Sequence, residues 1–393
     1  MAPQLFGDAM DLIHEQAASL AGSEDFGPDD YLPGLRMILR SVDSDIQHFR
    51  PGGRELAWAN LLNALASRAH AAKGWKDYPQ ALEQPITAPL VVTGIPRTGT
   101  TALHKLLAID SQFQGLPHWL TISPMPRPPS DQWSSYPGYD QARLFLKTMF
   151  ASVPEMRMAH NIVVDEVDEC LEILRQSFVS NRWACTWKAP SYDAWWQTRS
   201  ERPAYHYYEK VLRLIGHGHR EQRWLLKNPG HISTLDLVFE VFPDACVVQT
   251  HRSPLYTVPS ISNNMLLSHR MYEGAEADRW AKLLGPREME KWADALRRAK
   301  PVRALHRRQI FDVDHRRFLH EPMAVVHELY DYFGFRLEQD TESKMMARIA
   351  ESPERKHGEH RYDLESLGLL KEEILERYAD YIAEFNLAPR VDH

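Results

Sequence analysis

Residues 94–101 read GIPRTGTT and have the glycine spacing of a loop that binds phosphate. In the usual pattern, G-x-x-x-x-G-K-[ST], backbone N–H groups hold the phosphate oxygens, the lysine reaches the terminal phosphates and the hydroxyl holds Mg²⁺. Here Thr100 stands at the lysine position, and Arg97 is the cation within the loop. A guanidinium group suits a phosphate or sulfonate because its N–H donors form a fork. The loop therefore predicts a site for a phosphate-like anion and disfavours a metal-dependent NTPase.

The residues on both sides of the loop predict the elements that such a site needs. Residues 90–93 read LVVT, which is typical of a short buried parallel strand. After the loop, apolar residues repeat at helical spacing, at Ala102, Leu103, Leu106 and Leu107. A strand, a glycine turn and a helix N-terminus supply N–H donors and the positive end of a helix dipole. A βα turn without a ligand is the alternative that the loop alone leaves open.

Two further strands are predicted at residues 223–227 and 245–250, each followed by a helical pattern. Strands that alternate with helices predict a parallel sheet with helices on both faces. In such sheets, ligands bind at the carboxyl ends of the strands. We therefore expect an α/β fold with a P-loop-like central parallel sheet flanked by helices, in which Arg97, Lys227 and Arg252 lie at one edge.

The chain is expected to form a single α/β unit with helical additions. Residues 1–85 predict an N-terminal helical extension packed on the main domain, residues 86–393. A second helical segment, at about residues 138–220, contains a group of tryptophans and tyrosines. These rings either cover an apolar acceptor, which would then be a small hydrophobic alcohol, phenol or lipid, or fill a helical core. The sequence leaves both interpretations open.

The composition is that of an ordinary globular protein: 393 residues, 44% hydrophobic, 25% charged and a formal net charge of −7. This acidic balance does not favour nucleic acid or anionic membranes as partners. Three scattered cysteines argue against a disulfide framework or a C-x-x-C metal site. The sequence has no apolar run of the roughly 20 residues that span a bilayer and no pattern of a secretory signal. We expect a cytoplasmic protein, and homo-oligomerisation is left open.

Several motifs resemble those of a known family. Residues 96–101, PRTGTT, resemble the 5′-phosphosulfate loop of the sulfotransferases. Arg252 and Ser260, eight positions apart, resemble the pair with which these enzymes bind the 3′-phosphate of the donor. Three segments are similar to bacterial sulfotransferase-like proteins, namely 224–231, 159–170 and 357–369. The resemblance to this bacterial branch extends over about residues 88–390.

The resemblance implies a co-substrate, 3′-phosphoadenosine 5′-phosphosulfate, whose sulfuryl group is transferred to a hydroxyl or amine. By analogy with phosphoryl transfer, the protein would align an in-line displacement and neutralise the leaving group, and no metal is expected. The residues expected at the 5′-phosphosulfate are Arg97, Thr98, Gly99, Thr100 and Thr101. Lys227 is expected to reach the sulfuryl or bridging oxygens, and Arg252 and Ser260 the 3′-phosphate. The alternatives are structural salt bridges for Arg97 and Lys227 and a helix cap for Ser260.

The general base is expected to be a histidine, because it must take a proton from the acceptor near neutral pH. His160, in a segment similar to the bacterial branch, ranks first, and His231, four residues after Lys227, ranks second. His118 and Glu166 are the other candidates.

Two other functional classes stay open at this stage. A P-loop kinase or NTPase would need ATP and Mg²⁺, and the missing lysine and the Arg252/Ser260 pair argue against it. A non-catalytic relative would keep the nucleotide pocket as a binding module. Retention of Arg97 and Lys227 disfavours this second class.

Overall fold

The computed structural model describes residues 1–46, 48–152, 162–351 and 363–388. The chain divides into two compact units, a helical unit and a sheet unit. The helical unit consists of Met1–Pro85, Leu116–Arg220 and Asn264–Arg279, and the sheet unit of Ile86–Gly115, Glu221–Asn263 and Trp280–His393. The N-terminal helical segment therefore groups with two later segments of the chain. The predicted organisation, an N-terminal extension at 1–85 packed on a main domain at 86–393, stays a prediction.

The sheet unit contains a sheet of five parallel strands. The strands are β1 Leu90–Thr93, β2 Phe113–Gln114, β3 Arg223–Lys227, β4 Cys246–His251 and β5 Ile310–Asp314. Their order is β2-β3-β1-β4-β5, so β1 lies at the centre, and Val92 pairs with both Lys227 and Val248. The predicted central parallel sheet is confirmed, and β2 and β5 are additions that the sequence did not predict.

Helices make up most of the rest of the chain. In chain order they are α1 Met10–Ala21, α2 Leu32–Asp45, α3 Gly53–Asp77, α4 Thr100–Leu107, α5 His118–Ile122, α6 Pro137–Ser152, α7 Leu171–Leu174, α8 Asn181–Thr186, α9 Pro190–Trp196, α10 Arg202–Ile215, α11 Leu235–Val241, α12 Pro254–Glu273, α13 Ala281–Leu305, α14 His315–His320, α15 Pro322–Phe333, α16 Gln339–Glu351, α17 Lys371–Arg377 and α18 Ala379–Glu384. Among the described residues, no helix combines the length and apolar character needed to cross a membrane.

The core of the sheet unit explains the unbroken apolar run of β1. Leu90 and Val92 pack in one cluster with Leu103 of α4 and Leu329 of α15. Val91, whose side chain points to the other face of the sheet, is buried as well. A parallel strand that is covered on both faces needs apolar residues at every position, because neither face meets water.

The tryptophans of the helical unit belong mainly to its core. Trp183 and Trp187 are fully buried, as is Tyr192. Trp183 stacks on Phe178 with ring centroids 5.4 Å apart, and Trp187 meets Tyr272 edge-on at 5.0 Å. These contacts favour the interpretation in which the aromatic group fills a helical core, since the rings pack on one another and bury a large apolar area.

Candidate active site

The glycine loop at residues 94–101, called the anion loop below, leaves β1 at Gly94 and enters α4 at Thr100. Gly94, Arg97 and Gly99 have φ angles of +140°, +70° and +92°, in the region that favours glycine. A Cβ atom at Gly94 would lie 2.5 Å from the Thr250 carbonyl oxygen, so the neighbouring strand also excludes a side chain there. The two glycines of the motif are therefore required by the backbone conformation and by close approach, as the spacing predicts.

The Thr98 hydroxyl stabilises the loop from within. Its oxygen donates to the Ile95 carbonyl at 2.7 Å and lies 2.6 Å from the Thr250 hydroxyl on β4. These bonds join the loop to the neighbouring strand. The side chain of Thr98 is thus engaged with the protein, and its expected contribution to anion binding rests on its backbone N–H.

Arg97, Arg252 and Ser260 come together within the sheet unit. The Arg97 Nε atom donates to the Ser260 hydroxyl at 3.0 Å, and the Arg252 Nη1 atom donates to the Arg97 carbonyl at 3.2 Å. Ser260 lies within α12, which starts at Pro254, so a cap of that helix does not account for this serine. The loop residue Arg97 is therefore in contact with a guanidinium group and a hydroxyl from the stretch 252–260.

Lys227 reaches the same loop from β3. Its Nζ atom donates to the Thr101 hydroxyl at 3.2 Å, and the residue is buried. It ends β3 and pairs with Val92 of β1, which places it beside the start of the loop. A buried ammonium group next to a helix N-terminus adds positive charge where the backbone N–H groups already favour an anion.

His315 is a residue of this site that sequence reasoning missed. It follows β5, and its Cδ2 atom would lie 2.7 Å from a Cβ atom at Gly99. Burial lowers the pKa of His315 to about 3, and the charge of Arg252 acts in the same direction. The ring against the loop is therefore neutral at physiological pH. The alternation of apolar and acidic residues at 311–314, FDVD, is a weak signal that could have indicated the preceding strand.

Of the two histidines ranked first and second as the general base, the structure describes only His231. His160 lies outside the described residues. His231 lies in a 3₁₀ turn, Pro229–Thr234, and is buried. Burial lowers its pKa to about 3. A ring with so low a pKa is a weak proton acceptor near neutral pH, because proton transfer to it is uphill.

His118 in the helical unit is held by a carboxylate. Its Nδ1 atom lies 2.5 Å from an Asp168 carboxylate oxygen. The backbone N–H of His118 donates to the Glu166 carbonyl. The backbone N–H of Asp168 donates to the Leu116 carbonyl. Because a carboxylate only accepts, Nδ1 carries a proton, and in the neutral form of the ring Nε2 presents a lone pair. Nε2 is buried and has no hydrogen-bond partner among the described residues.

Glu166, the remaining candidate base, has its backbone bonded to His118. Its carbonyl accepts the His118 N–H at 3.2 Å, and its own N–H donates to the Val163 carbonyl.

A metal site was not expected from the sequence. In the described ranges, no group of three or more His, Cys, Asp or Glu residues is arranged to hold an ion.

The chain is similar to sulfotransferases in sequence and in structure. A model described as the sulfotransferase family matches residues 89–339. The crystal structure of sulfotransferase STF1 from Mycobacterium tuberculosis H37Rv is 31% identical, with a TM-score of 0.81 over 96% of this chain and 100% of that chain. Sulfotransferase STF9 from Mycobacterium avium, 24% identical over 96% and 97% of the two chains, shares the fold with a TM-score of 0.83.

A further relative carries a specific name. The omega-hydroxy-beta-dihydromenaquinone-9 sulfotransferase Stf3 of Mycobacterium bovis is 21% identical over 299 residues, which are 74% of each chain. With most of the chain matched by the family, and with the fold and an anion loop in place, the protein belongs to the sulfotransferase family and is a sulfotransferase.

Proposed function

We propose that the enzyme transfers the sulfuryl group of 3′-phosphoadenosine 5′-phosphosulfate to the hydroxyl of a small, apolar acceptor. The observation that carries the proposal is the meeting of Arg97, Ser260 and Arg252 at the anion loop. A donor with a phosphosulfate at one end and a phosphate at the other needs cations for both groups. Two guanidinium groups linked through a loop carbonyl and a serine hydroxyl meet that need.

The mechanism is an in-line displacement at sulfur. The acceptor oxygen forms a bond to sulfur as the bond from sulfur to the bridging 5′-phosphate oxygen breaks, and adenosine 3′,5′-bisphosphate leaves. Arg97 and the backbone N–H groups of Thr98, Gly99, Thr100 and Thr101 stabilise the charge that develops on the leaving phosphate. Lys227, held by the Thr101 hydroxyl, neutralises charge on the bridging or sulfuryl oxygens.

The acceptor hydroxyl must lose its proton during the reaction, and among the candidate histidines His118 has the hydrogen bond to a carboxylate that is typical of a general base. Asp168 fixes the tautomer whose Nε2 accepts, and the carboxylate stabilises the imidazolium that forms. His160 and His231 stay candidates from the sequence. The low pKa of His231 supports the choice of His118 over it.

The acceptor is proposed to be an apolar alcohol. The name of the Stf3 relative describes a hydroxylated menaquinone, which is a lipid-like alcohol. The net charge of −7 also disfavours highly anionic acceptors such as sulfated polysaccharides.

Calorimetric titration tests the donor assignment. We expect adenosine 3′,5′-bisphosphate to bind without Mg²⁺ and ATP to bind much more weakly, with or without Mg²⁺. Binding of ATP that depends on Mg²⁺ would support the alternative, a kinase or NTPase. A screen of apolar alcohols with ³⁵S-labelled donor then tests catalysis, and binding of the bisphosphate without transfer to any alcohol, phenol or amine would favour a non-catalytic relative.

A further inference from the structure

The C-terminal helix α18 contacts the end of β4, next to Arg252. His251 is the last residue of β4 and is buried. The Phe385 ring stacks on its imidazole, with centroids 3.8 Å apart and an interplanar angle of 17°. The Tyr381 hydroxyl lies 3.0 Å from His251 Nδ1. Two aromatic residues from the C-terminal segment therefore enclose the residue that precedes Arg252.

The hydrogen bonds around His251 have only one consistent direction. Nε2 lies 2.7 Å from an Asp312 carboxylate oxygen, which only accepts, so Nε2 carries the ring proton. Burial lowers the pKa of His251 and raises that of Tyr381, so the ring is neutral and the hydroxyl keeps its proton. Nδ1 therefore accepts from the Tyr381 hydroxyl. Arg252 follows His251 directly in the chain, so the bond from Tyr381 holds the residue to which the Arg252 backbone is joined.

The far end of this chain of bonds is anchored in the sheet unit. Arg303 donates to the second oxygen of Asp312 at 2.9 Å and also to the Gln249 side chain. The Arg303 guanidinium lies 5.2 Å from the centre of the Phe385 ring. The carboxylate that orients His251 is thus held from both sides, which reduces the freedom of the whole chain of bonds.

We propose that Tyr381 is a positioning residue for donor binding, which holds His251 and thereby the adjoining Arg252 backbone, so that the Arg252 side chain reaches the anion loop. The Arg252 Nη1 atom contacts the Arg97 carbonyl at 3.2 Å, so a shift of the Arg252 backbone would move the guanidinium away from the loop. The inference rests on the proposed function, in which Arg252 binds the 3′-phosphate.

The test is the Tyr381→Phe variant, which removes one oxygen and keeps the ring. We expect binding of adenosine 3′,5′-bisphosphate to weaken about tenfold, because the substitution removes the hydroxyl that donates to the buried His251 Nδ1. Binding of adenosine 5′-phosphosulfate, which lacks the 3′-phosphate, should change less than about twofold. The matched control is Tyr378→Phe, whose hydroxyl donates to the Met289 carbonyl at 2.8 Å. The control should change neither affinity by more than about twofold.

Two more variants keep the result interpretable. His251→Gln keeps a donor for Asp312 and removes the acceptor for Tyr381, so it should show the same selective loss if Tyr381→Phe does not fold. Arg252→Ala should lose the preference for the bisphosphate. A wild-type preference in Arg252→Ala would overturn the proposed role of Arg252. A selective loss in Arg252→Ala, with equal effects on both nucleotides in Tyr381→Phe and His251→Gln, would overturn the positioning role alone.

Discussion

The Nε atom of Arg97 donates a hydrogen bond to the hydroxyl of Ser260 at 3.0 Å. This contact joins the anion loop to α12, although the two residues lie 163 positions apart. In the proposed function Ser260 also binds the 3′-phosphate, so this contact would orient the Arg97 side chain before the donor binds. Pre-organisation of this kind favours binding because less side-chain freedom is lost.

The first prediction concerns Ser260. Ser260→Ala removes the partner of Arg97 and, in the proposed function, a donor to the 3′-phosphate. We expect about tenfold weaker binding of adenosine 3′,5′-bisphosphate in calorimetry. Ser262→Ala is the matched control, because the Ser262 hydroxyl donates to the Val258 carbonyl within the same helix. Equal affinities for the two variants would contradict the role of Ser260.

A second prediction concerns Lys227. Lys227→Met should lower kcat about 100-fold, because it removes a cation that acts on charge developed in the transition state. KM for the donor should change less than kcat. Arg223→Met, at the other end of β3, removes a cation whose Nη1 atom donates to the Ala88 carbonyl, and should leave kcat within about threefold. A similar loss of kcat in both variants would argue against a catalytic role.

The third prediction separates the candidate bases. His118→Ala should lower kcat at least about 100-fold, the usual effect of losing a general base. Asp168→Asn should lower kcat less than His118→Ala, because the imidazolium that forms during the reaction loses its counter-ion. The comparison variant is His231→Gln. A loss of kcat in His231→Gln together with a wild-type kcat in His118→Ala would contradict His118 as the general base.

A fourth prediction concerns the close approach at Gly99. Gly99→Ala adds a Cβ atom that would lie 2.7 Å from His315 Cδ2, at a φ of +92°. We expect a loss of about 2–4 kcal/mol in the free energy of unfolding, from backbone strain plus overpacking. Gly334→Ala is the control, since Gly334 has a φ of +70° with nothing within 4 Å of the added atom. It should cost only about 1–2 kcal/mol in urea denaturation. Equal costs would show that the His315 contact is unimportant.

The fifth prediction is a pH dependence of stability. The pKa of His231 is about 3 in the folded protein, against its usual 6.5. Between these values the unfolded chain binds a proton that the folded protein does not, so the folded state loses stability as the pH falls through this window. His231→Gln should flatten the pH dependence of the unfolding free energy between pH 4 and 6, by up to about 1.4 kcal/mol per pH unit. The control is His320→Gln, at an exposed histidine, which should leave the slope of unfolding free energy against pH unchanged. An unchanged slope in His231→Gln would contradict the prediction.

Periodicity and motif spacing were sufficient to predict the three central strands of the sheet, β3, β1 and β4. The strands β1, β3 and β4 were predictable from their short apolar runs, at 90–92, 224–226 and 246–248, because positions buried on both faces of a sheet favour apolar residues. β2 has only two residues and carries no period. The alternating residues of β5 lie among arginines and histidines, which hide a half-buried strand.

The sequence by itself determined the strand, glycine turn and helix around Arg97, the positions of Lys227 and Arg252 at the ends of strands, and the family, because glycine spacing and strand ends are local features. Only the tertiary structure decided that Arg97 contacts Ser260, that His315 packs on Gly99 and that Tyr381 bonds to His251. Each of these pairs is separated by more than a hundred residues. Contacts of this kind depend on how strands and helices pack, which no local period encodes.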